Sequence, residues 1–197
     1  LDLSVQSLIA IAAWVLNQPV RSVYNRIESM SSSTKRHPSR ITAMYGCSRE
    51  GLLTGYKFHG DFDTGAYTSW GMTVKDRVPV HATGPYFVPA MHATSAGIFT
   101  NGTPAGAFRG FGVPQAAIAH DTLMDMMAER IEMDILEFRH KNAIRVGQET
   151  ATGHVLEASA GLAQCLESLR PHWRRARAAA NDFNTSANGI HRRGVGL

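Results

Sequence analysis

The chain has 197 residues, 44% hydrophobic and 18% charged, with a formal net charge of +4. That balance excludes a disordered chain and suffices for one domain with a packed core or for two small lobes. It also excludes a nucleic-acid footprint. The basic residues gather late, at Arg170, Arg174, Arg175, Arg177, Arg192 and Arg193, but only Trp173 stands among them and no binding motif accompanies them.

Val5, Leu8, Ile9, Ala12 and Leu16 recur at helical spacing, and Asn17 with Pro19 supplies a stop. No apolar run is long enough to span a membrane, and the apolar opening has no basic leader, so the expected location is the cytoplasm. Val20 to Ile27 is rich in β-formers and reads as a strand. Ile41 to Cys47, a turn at Ser48-Arg49-Glu50-Gly51, and Leu52 to Phe62 read as a β-hairpin. Asp63 to Tyr86 is turn-rich and ambiguous. Phe87 to Thr100 alternates weakly and reads as a further strand.

Gly102 to Gly112 is a loop with four glycines and one proline. A strong helix follows, with Pro114 in its first turn and Val113, Ala117, Met124, Met127 and Ile131 on the expected buried face. Asp134 and Glu137 have capping-box spacing for a short helix, in which Glu137 and Lys141 form an i,i+4 pair. Residues 146 to 154 are a polar loop. Leu162, Cys165, Leu166, Leu169 and Trp173 make a last helical stripe, expected to kink or break near Pro171, and the tail after Ala180 has the composition of a loop. Cys47 and Cys165 stand apart without a ligand pattern, which argues against a disulfide framework or zinc and for two buried apolar residues. Helices and strands mix without strict alternation, which defines an α+β class with a mixed sheet and packed helices.

The stretch from Gly102 to Gln115 carries the chemistry. Its glycines let backbone approach a ligand, and it runs into a helix start whose N–H groups favour an anion. Arg109 adds a cation with five donors, and Phe108 and Phe111 alternate with small residues. The pattern suits a bulky, anionic, partly planar group. The alternative is an ordinary glycine-rich turn that caps a helix. A Walker A loop is excluded because no Lys-Ser/Thr follows the glycines, and GxGxxG is not completed after Gly112.

Gly106 to Gln115 closely resembles the AFRGFGxPQ motif of the xanthine dehydrogenase/aldehyde oxidase family. Pro19-Val20-Arg21 with Asn25 to Met30, Arg36-His37-Pro38, Leu136 to Arg139 with Lys141-Asn142, and Thr152 to Leu156 resemble further segments of that family in the same order. The similarity runs from about residue 3 to about residue 175. It implies a piece of the molybdopterin-binding large subunit, with 1–100 a helix plus strands, 101–115 the cofactor loop and 113–180 the helical part.

Several expectations follow from the resemblance. Ala107, Phe108, Arg109 and Gly110 bind the cofactor, molybdopterin in mononucleotide or cytosine dinucleotide form. Arg109 lies beside the molybdenum without ligating it, and loop N–H groups donate to the metal's oxygen ligands. Phe111 stacks on substrate, with a core phenylalanine that closes the loop as the other reading. Arg77, thirty-two residues before Arg109, falls where xanthine dehydrogenases carry a substrate-pocket arginine, with a surface arginine paired to Asp76 or another nearby acid as the other reading. His37 fixes a turn, His81 and His92 are ordinary polar residues, and Arg26 and Glu28 form a structural ion pair. The family's first glycine-rich segment and its general-base glutamate do not occur in this sequence, so no catalytic residue is expected in it.

The chain opens without Met and ends in Gly194-Val195-Gly196-Leu197, which reads as a strand start, so both ends are expected to be cuts within a longer protein. The expected partners are the remainder of the molybdenum subunit, iron-sulfur and flavin subunits or domains, and a small-molecule substrate. A homodimer through exposed faces is a further expectation. The expected reaction is hydroxylation of a purine or similar N-heterocycle with oxygen from water. An aldehyde oxidoreductase, a stand-alone anion- or nucleotide-binding module, and a purely structural domain are the competing readings.

Overall fold

The computed structural model describes residue 3, residues 5–186 and residues 189–197. The element order is α1 (Gln6–Leu16), α2 (Arg26–Ser32), β1 (Ser39–Cys47), β2 (Leu53–Gly65), α3 (Gly71–Val80), β3 (Met91–Phe99), α4 (Val113–Arg130), α5 (Ile135–Asn142) and α6 (Leu162–Ser186). The three strands form one sheet in the order β1-β2-β3, so the α+β reading holds.

The chain divides into two compact units. The first holds Leu1–Ala43, Phe58–Ala82 and Ala93–Ala119. Strict alternation along β2 sends Phe58, Gly60, Phe62 and Thr64 inward and Lys57 and His59 outward. Gly60 is required there, because a side chain at that position would run into the Phe62 ring. Val74 and Val78 of α3, Ala82, Ala105 and Ala116 complete this core. Helix α1 contributes no buried residue, and Leu8, Ile11, Trp14 and Val15 are exposed.

The second unit holds Met44–Lys57, Thr83–His92 and His120–Leu197. Tyr45 and Tyr56 stack at 4.2 Å in it, with Met124, Leu136 and Phe138 fully buried. Burial pushes both tyrosine hydroxyls far up. Arg139 is enclosed by the Tyr86 hydroxyl, Asp121 and Asp125. Asp134 caps α5 by accepting from Leu136 and Glu137 N–H, and its carboxylate also receives Trp173 Nε1 at 2.9 Å and Arg177 Nη1 at 2.8 Å from α6.

The structure corrects several sequence expectations. Val20 to Ile27 is no strand. Asn25 and Glu28 form a reciprocal capping box at 2.9 and 2.8 Å that starts α2, and that box takes the carboxylate expected to pair with Arg26. The ambiguous 63–86 stretch contains α3. Helix α6 runs unbroken through Pro171 and on to Ser186, beyond the loop expected after Ala180. Burial of Leu166, Trp173 and Ala180 and the Asp134 contacts outweigh one missing backbone donor. Glu137 pairs with Arg170 and Lys141 donates to the Glu50 carbonyl, so the expected Glu137–Lys141 pair does not form. On α4 the buried positions are Gln115, Ala116, His120, Met124 and Ala128. Of the expected face only Met124 is fully covered, because His120 packs over Gly84, where a side chain would collide with its ring. Cys165 is exposed rather than buried, Cys47 is half-buried, and both are free thiols.

Candidate functional site

The loop after β3 is anchored at its base by backbone pairing. Ala66 N–H donates to Gly102 O at 3.1 Å, Ala105 N–H to Thr64 O at 3.0 Å and Gly106 N–H to Lys35 O at 3.0 Å. Asp63 Oδ1 accepts from Gly65 N–H and from the Thr100 hydroxyl, both at 2.8 Å. Gly65 has a φ of +73°, and a Cβ there would lie 2.4 Å from Thr103 O, so only glycine lets the two backbones approach.

Beyond that base the chain turns back on itself. Gly110, Phe111 and Gly112 have φ of +89°, +48° and +97° in succession. A left-handed phenylalanine between two left-handed glycines is strained and persists only where its surroundings dictate it. Phe111 N–H donates to Phe108 O at 2.8 Å and Val113 N–H to Gly110 O at 3.0 Å, which closes the turn into α4. Gly112 sits against α3, within reach of Val74 O and Val78 Cγ2. The half-buried Phe111 ring meets Trp70 edge-on at 6.1 Å.

Together these residues line an open, mainly apolar cavity of about 410 Å³, bounded by Trp70, Ala107, Phe108, Arg109, Gly110 and Phe111. Arg109 and Gly110 are exposed. Among the described residues, the amides of Ala107 to Gly110 have no backbone partner. Unpaired donors beside a cation and three aromatic rings suit an anionic, planar ligand.

All five loop residues expected to bind ligand, Ala107 to Phe111, therefore come together. Arg77 does not join them. It lies on the exposed side of α3, outside the cavity lining, as the surface reading has it, but among the described residues Asp76 pairs with Lys75 rather than with Arg77. Burial, and then the Arg77 charge, hold His81 below the usual histidine range.

Two groups escaped the sequence reading as site residues. Trp70 sits in a stretch without periodicity, and only the fold brings it to the loop. Arg36 stood out in Arg36-His37-Pro38 but had no assigned role. Its guanidinium lies 4.8 Å from the Phe108 ring centroid, donates to Arg109 O, and reaches Gln115 Oε1 at 3.4 Å. Gln115 Nε2 in turn donates to His37 O at 3.4 Å. His37 is 3% exposed, and its Nε2 lacks a hydrogen-bond partner among the described residues. Burial holds its pKa down, Asp63 opposes this, and Arg36 adds to it.

An α+β unit presenting a glycine-rich, arginine-bearing loop to an aromatic cavity defines a cofactor-binding module. Residues 2–143 match the molybdopterin cofactor-binding domain, and the chain belongs to that family. It is 42% identical over 170 residues to the nicotinate dehydrogenase large molybdopterin subunit of Eubacterium barkeri, covering 86% of this chain and 40% of that protein. It is 33% identical over 181 residues to the xanthine dehydrogenase molybdenum-binding subunit of Escherichia coli, covering 91% of this chain and 24% of that protein. The solved aldehyde oxidoreductase from Desulfovibrio gigas superposes with a TM-score of 0.82 at 29% identity, covering 95% of this chain and 20% of that one. The chain thus spans well under half the length of these relatives.

Proposed function

We propose that this chain is a piece of a single cofactor-binding domain and forms one wall of the molybdopterin site in a molybdenum hydroxylase acting on an N-heterocycle of the purine or pyridine type. The observation that carries the reading is the run of three left-handed residues, Gly110 to Gly112, which overlaps the Ala107 to Gly110 amides that have no backbone partner among the described residues, with Arg109 beside the aromatic cavity. The fit is chemical. Molybdopterin is bulky, anionic and planar in part, and this loop offers donors, a cation and rings in one place.

When bound, the cofactor supplies a metal centre that accepts the electrons released as an electron-poor carbon gains oxygen from water. The chain's own residues bind and orient. The Ala107 to Gly110 amides and Arg109 hold negative charge. Phe108, Phe111 and Trp70 give the site an apolar wall, and Phe111 offers a ring to a flat substrate. The family resemblance alone gives Arg77 the carbonyl oxygen of the substrate, since Arg77 is exposed on α3 and outside the lining of this cavity. The base that activates water, the other cofactor wall, and the iron-sulfur and flavin groups come from the rest of the enzyme, in the cytoplasm. The relatives named for nicotinate and xanthine favour a heterocycle, and the aldehyde oxidoreductase likeness makes an aldehyde the second reading.

The test is substrate kinetics of the assembled holoenzyme with Phe111→Ala and Arg77→Ala. Stacking of a heteroaromatic ring is worth about 1–3 kcal/mol, so Phe111→Ala should lower kcat/KM for xanthine or nicotinate about 5- to 150-fold and spare a small aliphatic aldehyde. Equal losses for both substrate classes would overturn the heterocycle assignment. Unchanged heterocycle kinetics with Arg77→Ala would remove Arg77 from the site.

A further inference from the structure

We infer that Arg36 is a positioning residue that sets the direction in which the cofactor loop presents its amide donors, an inference that rests on the proposed cofactor reading. Arg36 lies outside the loop in sequence, 73 positions before Arg109 and 79 before Gln115. It comes from the segment whose backbone pairs with Ala105, where Lys35 N–H donates to Pro104 O and Lys35 O accepts from Gly106 N–H. From that foothold one half-buried guanidinium holds three points of the loop: the Phe108 ring face, the Arg109 carbonyl and the Gln115 amide oxygen.

The Arg109 carbonyl is the decisive contact. A peptide unit is planar and trans, so its C=O and the following N–H point in opposite directions. Drawing Arg109 O toward Arg36 turns the Gly110 N–H away from Arg36. Gly110 is a cavity-lining residue whose amide has no backbone partner among the described residues. The Arg109–Gly110 peptide takes part in neither of the two hydrogen bonds that close the turn, and Gly110 at positive φ lets it flip unless Arg36 holds its carbonyl. A lysine cannot replace the arginine, because a single ammonium cannot donate in two fixed directions while lying flat on a ring.

The experiment is hydrogen exchange on the assembled holoenzyme carrying Arg36→Ala, Arg36→Lys or Arg109→Ala, with pterin retained after gel filtration measured alongside. In Arg36→Ala the hydrogen-bonded amides of Phe111 and Val113 should exchange about tenfold faster or more, in keeping with loss of a charged hydrogen bond, while residues 56–64 of β2 keep their rates. Millimolar ethylguanidinium should restore protection of these two amides, a response that a purely structural defect would not give. Arg36→Lys covers the case in which the alanine variant does not fold, and it should also loosen the loop. Unchanged exchange at Phe111 and Val113, equal loosening of β2, or full rescue by lysine would each overturn the inference. If Arg109→Ala keeps its pterin while Arg36→Ala loosens the loop, the positioning role stands and the cofactor reading falls. If Arg109→Ala loses pterin while Arg36→Ala leaves the loop rigid, only the positioning role falls.

Discussion

Replacing Gly112 by alanine isolates the close approach that seats the cofactor loop on α3. Two costs add. At φ +97° an L side chain is strained, at about 1–2 kcal/mol for a left-handed residue. The new Cβ would also lie 2.9 Å from Val74 O and 2.9 Å from Val78 Cγ2. One of these is backbone and the other belongs to a side chain with no exposure, so neither yields cheaply, and overpacking of this kind costs about 1–3 kcal/mol. The expected total is about 2–5 kcal/mol, a large part of the stability of a small domain. Gly147→Ala is the control: its φ is +86°, nothing lies within 4 Å of the added carbon, and it should cost only the strain. Urea unfolding followed by far-UV circular dichroism, with hydrogen exchange at α3, gives both numbers. If Gly112→Ala is no more destabilising than Gly147→Ala, the loop is not seated on α3 as described.

Arg139→Met should destabilise by about 2–4 kcal/mol in urea unfolding, because it takes the donor from the buried Tyr86 hydroxyl, whose pKa burial already pushes up to about 12, and the shared cation from Asp121 and Asp125. The lower end is favoured because the Asp121 and Asp125 side chains are each about half exposed and water can reclaim them; a loss below about 1 kcal/mol would refute the account of that cluster. His37 gives a pH signature. Its folded pKa lies below the unfolded value of about 6.5, so the unfolded chain binds more protons. Its contribution is therefore complete above that pH and is lost as pH falls through it toward the folded value. Stability of His37→Asn should fall less between pH 7.5 and 5.5 than that of the parent chain, and identical slopes would contradict a buried neutral imidazole.

How far the sequence disclosed this architecture depended on which signal ruled locally. The β1–β2 hairpin was legible because Tyr56, Phe58 and Phe62 alternate with Lys57 and His59, and period two leaves little choice. The loop was legible because its glycines, arginine and phenylalanines are contiguous. Helix α2 was hidden by the β-branched and aromatic Val20, Val23 and Tyr24, whose composition says strand although the Asn25–Glu28 cap decides otherwise. Helix α3 was hidden because Val74 and Val78 are its only large buried positions and Pro79 lies inside it. The face of α4 was misjudged because hydropathy counts His120 as polar, whereas the fold buries it over Gly84. Trp70 and Arg36 reach the site through tertiary contacts alone, so no local pattern marks them as its members.

The central claim is that the Ala107–Phe111 loop faces a molybdenum centre. A crystal of the assembled enzyme, measured on both sides of the molybdenum K edge, locates that metal directly. The account predicts an anomalous peak over the Arg109–Gly110 peptide, on the side away from Arg36 and bordering Trp70 and Phe111. A peak remote from this loop, with the same cavity filled by protein, would contradict it.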